Sequence, residues 1–245
     1  MTQFFLLERL FLRTNIMVTH DRSLNKTICP FPWEIQSEKI KKSYNFSMHN
    51  GEYYELAMQD IFQMPLGCNN IRRSEELRCV NIQRKLCPTG TRIKEEWKGY
   101  CNFRKKRLID YLDFTEIPGF YKESFAVVNK TWDVTIADYK LTPDKTSYEW
   151  YIKVGCRMDE QTGEIDVPTV VFFSQHYNVT DAYYDDMIKA GYDLGLGYFM
   201  DWSDGIARLD NTHCLKFPYQ DKIDYYDTAS FNIPSLLLGL LCLIK

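Results

Sequence analysis

The chain has no excess of positive charge: 30 Lys and Arg against 33 Asp and Glu give a formal net charge of -3. Gripping a phosphate backbone takes a basic surface, so a nucleic-acid partner is excluded. The longest basic run, Arg104-Lys105-Lys106-Arg107, reads as a charged strand edge that resists pairing with other chains, with a membrane or heparin contact as the other reading. No Cys-x-x-Cys pair offers zinc spacing, and no Ser/His/Asp order or glycine-rich phosphate loop stands out. His20, His49, His176 and His213 are scattered, without a pair at helical metal-ligand spacing. Asp201 to Gly205 lacks the alternating ligands of a calcium loop and reads as a turn, and Asp181, Asp185 and Asp186 read as a solvated helix face. The expectation is therefore no metal and no cofactor. Repeats and low-complexity linkers are missing too, and the apolar tail from Pro234 to Ile244 falls short of the roughly 20 residues that cross a bilayer.

What is present points to one sizeable core: 245 residues, 45% hydrophobic and 26% charged. Eight cysteines, Cys29, Cys68, Cys79, Cys87, Cys101, Cys156, Cys214 and Cys242, accompany four glycosylation triplets at Asn25, Asn45, Asn129 and Asn178. Composition alone accounts for about one such triplet, so the excess favours a secreted or surface protein in an oxidising compartment. Phe4 to Val18 is apolar enough for a signal segment, but Glu8, Arg9 and Arg13 interrupt it and leave an amphipathic helix as the alternative. Thr228-Ala229-Ser230 before the apolar tail resembles a glycolipid-anchor signal with its spacer nearly absent, which makes membrane attachment an expectation at that end.

The middle of the chain reads as strands near 53–58, 77–85, 91–98, 107–114, 120–128, 132–139, 147–155 and 169–176, separated by turn signals. Trp132, Val134 and Ile136 share one face of their strand, and Tyr148, Trp150, Ile152 and Val154 repeat the alternation one hairpin later. Val170-Val171-Phe172-Phe173 is apolar on both faces, so that strand needs a cover outside as well as in. The cover expected is the next element, a helix capped by Thr180 and ended by Gly191, whose Tyr184, Met187 and Ile188 form one apolar stripe. The fold class expected is all-β: an eight-stranded up-and-down antiparallel barrel with a C-terminal flanking α-helix. Such a barrel either fills its interior or holds one small ligand.

Gly51-Glu52-Tyr53-Tyr54-Glu55 opening the first strand, Ala137-Asp138-Tyr139 between the sixth and seventh, Phe172-Phe173-Ser174-Gln175 on the eighth, and Leu209-Asp210-Asn211-Thr212-His213-Cys214 after the helix together resemble the lipocalin family. Cys29-Pro30-Phe31-Pro32 resembles the arm of its apolipoprotein D-like members, and the Asp-Asn-Thr-His-Cys ending resembles the lipocalin domain of violaxanthin de-epoxidase. The resemblance covers 29–214, leaving 1–28 as an N-terminal targeting or disordered segment and 215–245 as a C-terminal extension. In the family a tryptophan of the first strand receives an arginine from the last strand at the barrel floor; Tyr53 and Gln175 stand in those places here. The resemblance implies a carrier of a small hydrophobic ligand, such as a lipid, sterol, retinoid or pigment. Trp132, Val134, Ile136, Trp150 and Phe172 are expected as apolar lining, with Tyr53 and Glu55 as polar groups near the floor. It also implies disulfides Cys29–Cys156 and Cys68–Cys214; Cys79, Cys87 and Cys101 then remain as an odd set, in which one pair, such as Cys87–Cys101, leaves a single thiol. A de-epoxidase-like enzyme using Cys79 as nucleophile, and a ligand-free surface or adhesion scaffold, are the alternatives.

Overall fold

The computed structural model describes residues 29–60, 77–101, 104–125, 130–158, 165–201, 205–211 and 224–225. Alternating inward and outward side chains build eight long strands: β1 (Gly51–Asp60), β2 (Leu77–Leu86), β3 (Arg92–Cys101), β4 (Arg104–Phe114), β5 (Phe120–Phe125), β6 (Lys130–Leu141), β7 (Tyr148–Met158) and β8 (Ile165–Ser174). Each pairs antiparallel with its sequence neighbour, and β1 pairs with β8, which closes the barrel. Closure removes every unpaired edge, the main liability of a sheet. The basic run Arg104–Arg107 opens β4 inside this closed wall, and its last two residues also pair with β10 (Asp224–Tyr225), so part of the C-terminal extension returns to the barrel.

One stretch of wall is not a simple hairpin. β1 pairs with β2 only over Gly51–Tyr54; a bulge between Glu55 and Ala57 then turns it toward β9 (Ala207–Arg208). Leu209 N–H donates to the Leu56 carbonyl at 3.0 Å, the Asn211 side chain donates to the Glu55 carbonyl at 2.8 Å, and Arg78 bridges to Asp210. The segment 207–210 therefore fills the gap between β1 and β2 in the upper barrel. Buried backbone groups need partners, and the bulge hands them to this returning segment.

The helix after the barrel, Asp181–Asp193, starts where expected: Thr180 Oγ1 accepts from Tyr183 N–H at 3.3 Å. It runs past Gly191. A Cβ on Gly191 would lie 2.8 Å from Met200 Sδ and 3.0 Å from the Phe172 ring, so this glycine permits close packing and does not end the helix. Gly195, at φ +79°, takes the left-handed turn that follows the C-cap Leu194. Met187 is buried against Phe172, Ile152, Trp150 and the short helix Gly197–Met200, with Tyr184 and Ile188 at the margin. β8 is thus covered on both faces: Val170 and Phe172 lie under the helix, while Val171 and Phe173 point into the barrel.

The N-terminal arm closes the other end. Cys29 is disulfide-bonded to Cys156, and two short helices follow, Pro32–Ile35 and Glu38–Ser43. Ser37 N–H donates to the Ala137 carbonyl at 2.8 Å and its hydroxyl donates to Asp138 at 2.6 Å, which seats the arm on β6. Ile40, Tyr44 and Phe46 then reach into the barrel floor beside Tyr121, Tyr139 and Tyr148.

Candidate functional site in the barrel interior

The floor is aromatic. Tyr53 is fully buried, its hydroxyl donates to the Met48 carbonyl at 3.3 Å, and the Gln175 side chain faces the same hydroxyl. The first-strand aromatic and the residue that replaces the expected arginine therefore do meet at the base. A cation is present there as well, from another strand. Arg84 of β2 lies 4.7 Å above the Tyr151 ring and 5.3 Å from that of Phe173, donates to Glu95 at 2.5 Å, and lies 3.0 Å from Nδ1 of His49. Since a guanidinium only donates, Nδ1 accepts and the imidazole proton sits on Nε2. Burial first, then the charges of Arg84 and Lys153, hold His49 well below its ordinary pKa and keep it neutral.

Above the floor lies a layer of buried charge. The inward faces of β3, β4, β5 and β7 contribute Glu95, Asp110, Glu123 and Lys153, none more than 8% exposed. Lys153 donates to Glu123 at 2.5 Å and lies 3.6 Å from Glu95. Burial opposes ionisation of Glu95, but Arg84 and Lys153 outweigh it and the carboxyl titrates lower than usual. The same cations hold in reverse: burial works against the Lys153 ammonium, and Glu123, Glu95 and Asp110 raise its pKa nonetheless. Asp110 goes the other way. Burial, then Glu95 and Glu123, push it well above the usual carboxylate range. On the β1 side, Trp97 Nε1 donates to Glu55 at 3.2 Å, placing that carboxyl inside the barrel opposite Phe173.

Of the expected lining, Val134 and Ile136 point inward, and Trp132 shares their face opposite Glu123 with Arg157 5.7 Å from its ring. Trp150 and Phe172 do not line the interior. Both lie on the outer face beneath the helix, because the register Tyr151↔Phe173 and Ile152↔Phe172 turns the even-numbered positions outward. The inward positions of β7 are Tyr151, Lys153 and Gly155. The acids that sequence reasoning missed, Glu95, Asp110 and Glu123, share one signal: a charge set between apolar neighbours two residues away, as Glu95 is between Ile93 and Trp97.

The cysteines also need correction. Cys29–Cys156 is formed, but Cys87 follows β2 while Cys101 stands opposite its first residue, Leu77. Ten residues of strand separate them, about 30 Å at 3.3 Å per residue, far beyond the roughly 7 Å a disulfide spans. Cys79 is not a free thiol: it and Cys87 are both disulfide-bonded. This removes the proposed nucleophile. Cys68, Cys214, Asn25 and Asn129 lie outside the described residues, while Asn45 and Asn178 are exposed.

No family model matches the chain, and no curated protein matches it. Among solved structures it is similar to lobster apocrustacyanin A1, at 13% identity over 77% of this chain and 92% of that one with a TM-score of 0.51. It is likewise similar to apocrustacyanin C2, at 14% identity over the same shares with a TM-score of 0.50. At these identities the likeness shows the fold, a closed lipocalin-like barrel with a helix after it.

Proposed function

We propose that this chain carries a small hydrophobic molecule in its barrel. The observation that supports the reading most is the interior itself: a sealed aromatic floor below polar atoms that no protein group satisfies, namely Asp110 Oδ1, the Tyr151 hydroxyl and His49 Nε2. Ligand sites combine apolar walls with a few convergent polar groups in this way, whereas a purely structural core leaves few polar atoms unpaired. Tyr53, Glu55, Trp132, Val134 and Ile136 are the lining residues in this reading. The bonded cysteines and the exposed triplets at Asn45 and Asn178 support a secreted or surface-attached protein. The apolar tail supports attachment to a membrane. Extraction of protein made in a secretory host, followed by identification of what copurifies, tests the reading. A stoichiometric lipid, sterol, retinoid or pigment is expected, and a protein that copurifies with nothing and accepts none of these when offered them refutes it.

One observation favours a second reading, an interaction surface. Phe31 and Trp33 stack at 4.7 Å, are each 53% exposed, and border an outer groove of about 370 Å³ beside the Cys29–Cys156 bond. Paired exposed aromatics are typical contact anchors. A Trp33→Ala variant that loses binding to a surface partner while keeping ligand would establish that role.

A further inference from the structure

Within the layer formed by Glu95, Asp110, Glu123, Arg84 and Lys153 the charges do not balance, Glu55 lying apart on the β1 side with Trp97. Glu95, Asp110 and Glu123 offer three carboxylates whose oxygens lie within 4.8 Å of one another. Among the described residues two cations answer them, and both are taken: Arg84 by Glu95, and Lys153 by Glu123 and Glu95. Asp110 is left over. It is 2% exposed, Oδ1 has no hydrogen-bond partner, and its remaining link runs to Glu123, another acid. Two carboxyls share a hydrogen bond only by holding a proton between them. Near the same layer, the buried Tyr151 hydroxyl, under the influence of Arg84 and Glu95, is also without a partner.

We propose that Asp110 is the head-group site of the barrel and receives the protonated amine of a small apolar monoamine. This deepens the carrier reading and rests on it. Charge counting selects the class. One added positive charge brings three carboxylates, Arg84, Lys153 and the ligand to zero. A divalent metal would overshoot, and would have to sit beside the Lys153 ammonium among the same oxygens. An anion would add to the excess. A primary ammonium has three N–H donors, enough for Asp110 Oδ1 and further acceptors of the layer. Gly155, on the inward face next to Lys153, adds no side chain there.

Binding is linked to a proton. The groups acting on Asp110 are Glu95 from β3, Glu123 from β5 and Lys153 from β7; Arg84 from β2 pairs with Glu95, and Arg84 and Lys153 in turn act on neutral His49 of the arm. The arriving ammonium replaces the proton shared by Asp110 and Glu123, so amine affinity falls as the pH is lowered.

Isothermal titration of the full chain with 2-phenylethylamine, 2-phenylethanol, 3-phenylpropanoate and calcium chloride tests this. The amine is expected to bind roughly thirtyfold or more tightly than the alcohol, and repeat titrations in buffers of different ionisation heat should show about one proton released per amine bound. Asp110→Asn keeps the shape and a hydrogen bond to Glu123; it should bring the amine down to the alcohol's affinity and leave the alcohol unchanged. If Asp110→Asn fails to fold, proton release by the native chain decides. Equal affinity for amine and alcohol, an unaltered amine affinity in Asp110→Asn, absence of proton release, or calcium competing with the amine overturns the proposal while leaving the carrier reading standing. Failure of amine and alcohol alike to bind overturns it too, and the neutral-probe titration that ends the Discussion then decides the carrier reading by itself.

Discussion

Arg84 of β2 stacks over the ring of Tyr151 of β7, 4.7 Å from its centroid, while its Nε donates to Glu95. The cation at the floor thus comes from β2, on the far side of β1 from β8, leaving Gln175 to face the Tyr53 hydroxyl. Truncating Arg84 removes a fully buried charge and leaves Glu95 with Lys153 alone. Arg84→Met should cost about 3–5 kcal/mol, and Arg84→Met with Glu95→Leu should recover most of that loss. Urea midpoints of the two variants check both statements.

The Gly191 contact makes an opposite prediction to helix propensity. Alanine in mid-helix normally gains about 1 kcal/mol over glycine. Here its Cβ would press on Met200 Sδ and the Phe172 ring, so Gly191→Ala should lower stability by roughly 1–3 kcal/mol. Thermal unfolding measures the sign.

The buried acids give stability a defined pH dependence. Asp110 keeps its proton above 3.8, its ordinary value, where the unfolded chain has already released it. The folded state therefore binds more protons, and the stability that Asp110 contributes is full below that value and declines as pH rises toward the folded pKa. His49 acts in reverse: its folded pKa lies below 6.5, so its contribution is complete above 6.5 and is lost as pH falls. Asp110→Asn removes the first slope. Relative to the native chain it should gain stability steadily between about pH 4 and pH 7, read from urea midpoints across that range.

Cys29 and Cys156 close a loop with a sequence separation of 127. By loop entropy the bond stabilises the fold by about 4–5 kcal/mol, acting on the unfolded chain. Cys29→Ser with Cys156→Ser should lose stability on that scale while the barrel's far-UV circular dichroism persists at low temperature.

The barrel, its strand order and the covering helix were legible because period-two apolar runs and a capped amphipathic stripe are local signals. The faces of β7 and β8 were not. Ile152, Val154 and Phe172 form a more apolar surface than Tyr151, Lys153 and Gly155, yet it is the outer one, since the helix and the arm bury it. Where a strand is covered on both sides, hydrophobicity no longer distinguishes inside from outside; register does, and register depends on partners far along the chain. The charge layer escaped for the same reason. Glu95, Asp110, Glu123 and Lys153 come from four strands and form a set only when the barrel closes. The floor pair of Tyr53 and Gln175 was legible through the resemblance to lipocalins, but the cation on β2 was not.

A neutral apolar probe tests the central claim most directly. N-phenyl-1-naphthylamine brightens in an apolar site, and its fluorescence should saturate at about one probe per chain, as for a small barrel that holds a single ligand. Gly155→Leu, which adds a side chain to the inward face, should abolish the signal, while Thr135→Leu on the outer face should leave it intact. No saturable signal in the native chain, or a signal indifferent to Gly155→Leu, would contradict a ligand inside the barrel.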